Sequence, residues 1–395
     1  MVDLAVEIAG ITFRNPVIVA SAPPTLSSKH IVKCIRRGAS GAVTKTITYD
    51  RSQQVQPKPR MHVVNPRDAL AGKFYSFYSI DLMSEYEPES WVKEIKKARN
   101  ELGSEGVIIA SIAGRTYEEW KKLAQLMEEA GSDMLELNLS CPHIEEGELM
   151  GKGASYNPDV VANIVRAVKD STSIPVIGKL TPQGVNPVLL ARTMVSSGID
   201  ALVSTARFQG LIIEPETGKP SLWSSFGGYG GPWQVPISLS WTAHIAMENL
   251  GRPIIGSGGI SKWEDALSFI LVGASAIQLC TTIMIRGYDI IEEINKGLGV
   301  WLDKKGFGRM TETIGISLKD MIPLEKLERR KIYRIAVDEA KCTGCGICVN
   351  VCPYSAITLT NRKVIVDGEK CDNCNLCVSL CPVRALSLVE RENFS

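Results

Sequence analysis

Eight of the eleven cysteines fall in two runs near the C-terminus: Cys342-Thr-Gly-Cys345-Gly-Ile-Cys348-Val-Asn-Val-Cys352-Pro353 and Cys371-Asp-Asn-Cys374-Asn-Leu-Cys377-Val-Ser-Leu-Cys381-Pro382. Both read C-x₂-C-x₂-C-x₃-C-P. Three thiolates spaced by two residues can hold three irons of one cubane, and the fourth, a turn further on, reaches the other cubane. The spacing therefore assigns Cys342, Cys345, Cys348 and Cys381 to one [4Fe–4S] cluster. Cys371, Cys374, Cys377 and Cys352 go to a second. Structural zinc uses paired ligands separated by a longer loop, which this doubled run of four does not match. Two cubanes in one small module suit one-electron transfer.

Short alternating runs, Ala356–Leu359 and Lys363–Val366, lie between the cysteine sets and read as hairpin strands. With them, residues 336–390 resemble a bacterial-type two-cluster ferredoxin.

A second group of chemically able residues lies where apolar runs stop. Strands are expected near Val17–Ala20, Ala42–Lys45, Val107–Ile112, Met134–Asn138, Val176–Lys179, Ala201–Thr205, Pro253–Gly256 and Ala276–Leu279. Helical patterns such as Glu119–Ala130, Asp159–Lys169 and Trp263–Val272 separate them. Eight strand–helix alternations predict a closed (β/α)₈ barrel, whose chemistry sits at the C-terminal strand ends. Those ends carry Ala20, Ser21, Lys45, Thr46, Ser111, Asn138, Cys141, Lys179, Thr205, Gly258, Gly259, Thr281 and Thr282. Gly258-Gly259 after the seventh strand, with Thr281-Thr282 after the eighth, suits a phosphate held by backbone N–H groups. The lysines suit negative charge on a reduced ring. The Gly- and Trp-rich stretch Trp223–Trp233 is expected to be a lid or interface loop, with Gly231 counted among the cofactor contacts.

Strand four runs into Asn138-Leu139-Ser140-Cys141-Pro142-His143 and then a glycine-punctuated loop. A thiol there can move a proton at a carbon beside a carbonyl. Cys34 and Cys280 are read as small buried hydrophobes. Together with Asn15-Pro16, Ala20-Ser21-Ala22, Val43-Thr44-Lys45-Thr46, Ile109-Ala110-Ser111-Ile112, Gly178-Lys179-Leu180-Thr181-Pro182 and Gly258-Gly259-Ile260, this loop resembles the class 1 dihydroorotate dehydrogenase and dihydropyrimidine dehydrogenase superfamily. The ferredoxin tail brings the dihydropyrimidine dehydrogenase catalytic subunits nearer. The resemblance implies FMN in the barrel, with Cys141 as proton donor or acceptor and Ser140 beside the substrate. It also implies Lys45, Asn138 and Lys179 at or near the flavin. The expected domains are an FMN barrel over 1–306, a linker over 307–335 and the ferredoxin over 336–390.

The chain departs from that pattern where the superfamily reads its pyrimidine with asparagines. Ser79 stands in Phe77–Asp81, Ala206-Arg207 replaces an expected Asn-Thr pair, and Arg115 lies near another missing Asn. Sites built to hydrogen-bond one partner discriminate strongly, so the substrate is expected not to be uracil or thymine. Arg115 and Arg207 make an anion plausible chemistry; His143 is a further candidate substrate contact. The remaining readings are a true dihydroorotate dehydrogenase and a non-catalytic electron-relay subunit of a larger redox complex.

A net charge of +1 offers nothing to nucleic acid or an anionic membrane. The start, Met1-Val2-Asp3-Leu4, has no signal-peptide pattern, so the cytoplasm is the expected compartment. No G-x-G-x-x-G follows a strand, so electrons are expected to pass through a ferredoxin or a separate NAD(P)H-oxidising flavoprotein subunit. A small-molecule substrate and a homo- or hetero-oligomer complete the expectation.

Overall fold

The computed structural model describes residues 2–144, 146–222, 225–329 and 333–390. The chain forms two compact units, Met1–Asp320 and Met321–Ser395.

In the first unit eight strands close a barrel: β1 (Val17–Val19), β2 (Gly41–Val43), β3 (Val107–Ile112), β4 (Met134–Asn138), β5 (Val176–Lys179), β6 (Ala201–Val203), β7 (Ile254–Ser257) and β8 (Ala276–Leu279). All neighbours are parallel and follow chain order, and β8 closes on β1 with Gln278 opposite Ile18. These strands are apolar on both faces because helices cover the outside and side chains fill the inside. Residues such as Ile18, Ile109, Leu135, Ile177, Leu202 and Ile277 are wholly buried.

The helices start where the local chemistry directs. Thr116 accepts the Glu119 N–H ahead of Tyr117–Glu129, and Asn157 accepts that of Asp159 ahead of Pro158–Lys169. Proline opens Pro88–Leu102, Pro158–Lys169 and Pro187–Ser196, where its missing N–H costs nothing. β1, β2 and β6 end one or two residues before the expected points. Lys45 and Thr205 are thereby released from the ladder, while the Ala20 N–H still donates to the Leu279 carbonyl at 2.8 Å. The unit also runs on past residue 306, because Met310 and Thr313 are buried and the Gly315 and Ser317 N–H groups bond to Ile270 and Leu271.

One element was not foreseen. The β2–β3 and β6–β7 connections together build an antiparallel sheet over the residues they carry, in the order Phe208–Gly210, Gly227–Gly230, Ser76–Ser79, Met61–Val64. Glycine is a poor strand former, which hides this sheet from propensity. Here it is required by close approach: a Cβ on Gly227 would stand 2.5 Å from the Tyr78 ring, and one on Gly210 would stand 2.7 Å from Tyr229 Cβ. Of the stretch expected to be a lid or interface loop, Trp223 and Ser224 lie outside the described residues. The rest supplies the strand Gly227–Gly230 and the turn Pro232–Gln234.

The second unit holds two antiparallel pairs, Tyr333–Val337 with the distant Leu386–Glu390 and the hairpin Ile357–Thr360 with Lys363–Val366. Two one-turn helices, Ile347–Asn350 and Leu376–Ser379, carry the third cysteine of each run. The halves repeat in detail: Gly346 and Asn375 both open their helices in the left-handed region, and Ser355 and Arg384 share it after each Cys-Pro. Among the described residues, no helix is long and apolar enough to cross a membrane.

Candidate active site

A cavity of about 860 Å³ lies at the C-terminal mouth of the barrel. Ala20, Ser21, Lys45, Thr46, Ser79, Ser111, Asn138, Ser140, Cys141, Lys179, Arg207 and Thr281 all line it. A chamber of about 470 Å³ adjoins it, lined by Gly231, Gly258 and Gly259 and sharing Ala206, Arg207, Ser257, Cys280 and Thr281. The barrel brings these residues together because every parallel strand points its C-terminal end at the same mouth.

Two buried lysines are each held by a carboxylate. Lys45 Nζ lies 2.6 Å from Asp81, whose other oxygen accepts from Arg60 at 3.2 Å. Burial alone would raise the Asp81 carboxyl, but Lys45, with Arg207 and Arg60, holds it below the ordinary carboxylate range. Lys179 Nζ donates to Gln278 at 2.6 Å and lies 3.4 Å from Glu136, while Gln278 donates to the other Glu136 oxygen at 2.5 Å. This closed triangle keeps a cation and an anion inside the barrel with their hydrogen bonds satisfied.

The thiol has its own support. Asn138 Oδ1 accepts from the backbone of Ser140 at 3.3 Å and of Cys141 at 3.1 Å, while its amide donates to Thr46 at 2.9 Å. Thr46 bonds in turn to Ser111 and Ser21. Gln209 on the added sheet donates to the Pro142 carbonyl at 3.0 Å, tying that sheet to the loop. Burial pushes the Cys141 thiol up, against the lowering effects of a backbone hydrogen bond from His143 and of Arg207 and Lys45. Burial first, then Arg207, push the His143 imidazole down to about 3, so it is neutral.

Four residues singled out from the sequence line neither chamber. Thr205 stands behind the wall, donating to the Ser257 carbonyl at 2.5 Å with its oxygen 3.1 Å from Ser238 Oγ. Thr282 is buried one position beyond Thr281. His143 is partly buried, with the Phe226 backbone beside its ring. Arg115, expected as a substrate contact, is taken up by Asp50 at 2.7 Å and Glu148 at 2.9 Å and is 41% exposed at its side chain. The expectation for Cys280 is also corrected: it lines both chambers, because β8 ends just before it. Cys34 is fully buried, as expected.

Asp81, Glu136, Gln278, Gln234 and Tyr75 were missed. Glu136 and Gln278 did leave a signal, since each is the single polar residue inside an apolar strand and must have a buried partner.

The two chambers pass a test for a flavin mononucleotide. Gly231, Gly258 and Gly259 have φ of 145°, 114° and 80°. A Cβ on Gly258 would stand 2.3 Å from Ser238 Oγ, and one on Gly259 would stand 2.5 Å from the Gly231 carbonyl. Only glycine tolerates these close contacts and backbone angles, so the turn packs tightly along the chamber, and the helix Trp263–Leu271 begins just after it, which fits a phosphate. The ring end offers two lysines and apolar walls from Met61, Phe77 and Met83.

The tail has two cavities of its own. One, about 340 Å³, is lined by Cys342, Cys345, Cys348 and Cys381. The other, about 300 Å³, is lined by Cys352, Cys371, Cys374 and Cys377. The Ala385 N–H reaches Cys381 Sγ at 3.2 Å and the Ala356 N–H reaches Cys352 Sγ at 3.4 Å, the same bond in each half.

Residues 3–302 match the dihydroorotate dehydrogenase family model. The chain belongs to this family. Residues 341–385 match a 4Fe-4S dicluster domain. Among similar proteins is the NAD-dependent dihydropyrimidine dehydrogenase subunit PreA of Escherichia coli strain K12, 31% identical over 89% of this chain and 85% of that protein. The catalytic subunits of dihydroorotate dehydrogenase B (NAD(+)) from Pyrococcus abyssi and Pyrococcus furiosus are 35% and 33% identical, each over 80% of this chain and 99% of theirs. As a dihydroorotate dehydrogenase family member with a dicluster tail, the chain is an oxidoreductase of CH–CH groups that uses FMN and two [4Fe–4S] clusters. It works on a small molecule and exchanges electrons with a partner.

Proposed function

We propose that the chain interconverts CH–CH and C=C bonds conjugated to a carbonyl, in the manner of the dihydropyrimidine dehydrogenases, with Cys141 handling the proton. One observation carries the reading: a buried thiol, two carboxylate-held lysines and a glycine chamber share one cleft at the barrel mouth.

FMN, when bound, supplies or accepts a hydride at one carbon of that bond. Gly231, Gly258, Gly259 and Thr281 would hold its phosphate, and Lys45, Lys179, Ala20, Ser21 and Thr46 its ring. Thr205 and Thr282 would support that wall from behind. Cys141 gives the proton to the neighbouring carbon in reduction and takes it in oxidation, so two electrons and two protons move in all. Asn138 holds the thiol's backbone and Ser140 stands beside the substrate. The added sheet keeps water from the thiol.

The eight tail cysteines would hold their clusters as two crossed tetrads, a reading supported by the two cavities each tetrad lines. Electrons would enter or leave through a ferredoxin or an NAD(P)H-oxidising flavoprotein subunit, within the cytoplasm. A dihydroorotate dehydrogenase is the second reading, favoured by the archaeal catalytic subunits that match over nearly their whole length.

The test is anaerobic turnover of Cys141→Ala. Loss of C=C reduction, with flavin and cluster spectra retained and the clusters still reducible, supports the assignment. Unchanged C=C reduction would remove Cys141 from the proton transfer, and electron flux to the partner that persists with no C=C reduction in either protein would make the chain a relay.

A further inference from the structure

We propose that Arg207 is the specificity-determining residue of this site, and that it selects substrates bearing a carboxylate beside the conjugated C=C bond in place of the amide edge of a neutral pyrimidine. The proposal rests on the function proposed above.

The charges of the cleft do not cancel. Three cations line the large cavity: Lys45, Lys179 and Arg207. Lys45 is paired with Asp81 and Lys179 with Glu136. Asp81 already answers two cations, Lys45 and Arg60, and acts on Arg207 only through space, with no ion pair between them. Arg207 makes no ion pair among the described residues; its hydrogen bond is donated from Nη1 to the neutral Ser79 Oγ. A guanidinium lining a partly buried cavity without a counter-ion is costly, and an anion arriving with the substrate removes the cost.

The guanidinium also has a seat. Gly228 lies opposite Ser79 in the added sheet. A Cβ on Gly228 would stand 2.5 Å from Arg207 Cζ, 2.7 Å from Nη1 and 2.9 Å from Nε. Any other residue at 228 would therefore displace the head group. The stem passes Gly230, whose Cβ would be 3.7 Å from Arg207 Cγ. The stem thus borders the glycine chamber while the head sits with Ser79, which lines only the large cavity. Nε and Nη2 remain as donors for a planar carboxylate.

Few groups are left to read an imide edge. Asn138 uses one amide N–H on Thr46 and its oxygen on the Ser140 and Cys141 backbone, so it keeps a single N–H and no free acceptor. Ala206 has no polar side chain, and Ser79 accepts from Arg207. Recognition through charge is what the site retains. Hydrogen bonds to a charged group commonly contribute roughly tenfold or more in affinity.

The test uses cyclohexenone and its ring carboxylate, a pair differing by one carboxylate, with uracil as the neutral pyrimidine. Each is titrated into oxidised, FMN-replete full-length protein, and Kd is read from the perturbed flavin absorption. The expected result is at least tenfold tighter binding of the carboxylate than of either neutral compound. Arg207→Gln should erase that preference, Arg207→Lys should keep part of it, and Gly228→Ala should behave like Arg207→Gln while leaving the guanidinium in the protein. Equal Kd for the pair, tighter uracil binding, or a preference that survives Arg207→Gln overturns the proposal. So does loss of FMN from Arg207→Gln, which would assign the guanidinium to the cofactor. Anaerobically reduced protein then separates the two levels of the argument. If no C=C compound reoxidises the flavin while ferricyanide does, the proposed function fails and takes this inference with it. If the enones reoxidise it without regard to charge, only the inference fails.

Discussion

Asn138 accepts the backbone N–H of Cys141 at 3.1 Å, so the residue that ends β4 also sets where the thiol stands. Replacement of Asn138 by Leu removes that acceptor. Displacing a reacting group by about 1 Å commonly costs a hundredfold in rate, and turnover should fall on that order. Asn138→Asp keeps an acceptor oxygen and should lose less. Steady-state turnover per bound flavin checks both, and an unaffected Leu variant would detach Asn138 from the thiol's function.

The raised Cys141 thiol fixes the direction of the pH dependence. In C=C reduction the thiol must be protonated, so the rate should stay level through neutral pH and fall only as pH passes upward through the raised value. In CH–CH oxidation the thiolate is required, so the rate should climb with pH over the same window. His143, held at about 3, stays neutral across neutral pH and adds no inflection there. A pH–rate profile in each direction measures this. A break at the ordinary imidazole value of roughly 6.5 would contradict it.

Asp81 is the counter-charge of a buried lysine. Asp81→Asn leaves Lys45 without it and should cost about 3–5 kcal/mol of barrel stability, read by denaturant unfolding. The sign with pH follows from the lowered carboxyl. The stabilisation is complete above the ordinary carboxylate range and disappears as pH falls through the depressed folded value. The wild-type barrel should therefore lose more stability on acidification than Asp81→Asn does.

The crossed cysteine tetrads can be told from sequential ones by iron content. Cys342→Ser with Cys381→Ser removes two ligands from one proposed cluster and should leave about half the iron and acid-labile sulfide. Cys342→Ser with Cys352→Ser strikes both clusters and should leave far less. If the second pair retained half and the first lost nearly all, each run would bind its own cluster.

Much was legible in the chain itself. Cysteine spacing picked out the two groups of four that line the tail's two cavities, because such spacing is a feature of a few residues of local chain. Eight apolar runs between helical patterns carried the barrel, because burial on both faces of a parallel strand leaves a continuous apolar signature. Lys45, Asn138, Cys141, Lys179 and Gly258-Gly259 were found because they end those runs. What only the tertiary structure decided is which distant residues meet. Asp81 reaches Lys45, and Glu136 reaches Gln278, across 36 and 142 positions of sequence. The strand Gly227–Gly230 reads locally as a loop and exists because Tyr78 and Arg207 press against it. The two arginines looked alike in sequence, yet Asp50 and Glu148 hold Arg115 at the surface while Arg207 turns its charge into the cleft. A charge gains its meaning from partners that only folding brings within range, and no spacing along the chain encodes that.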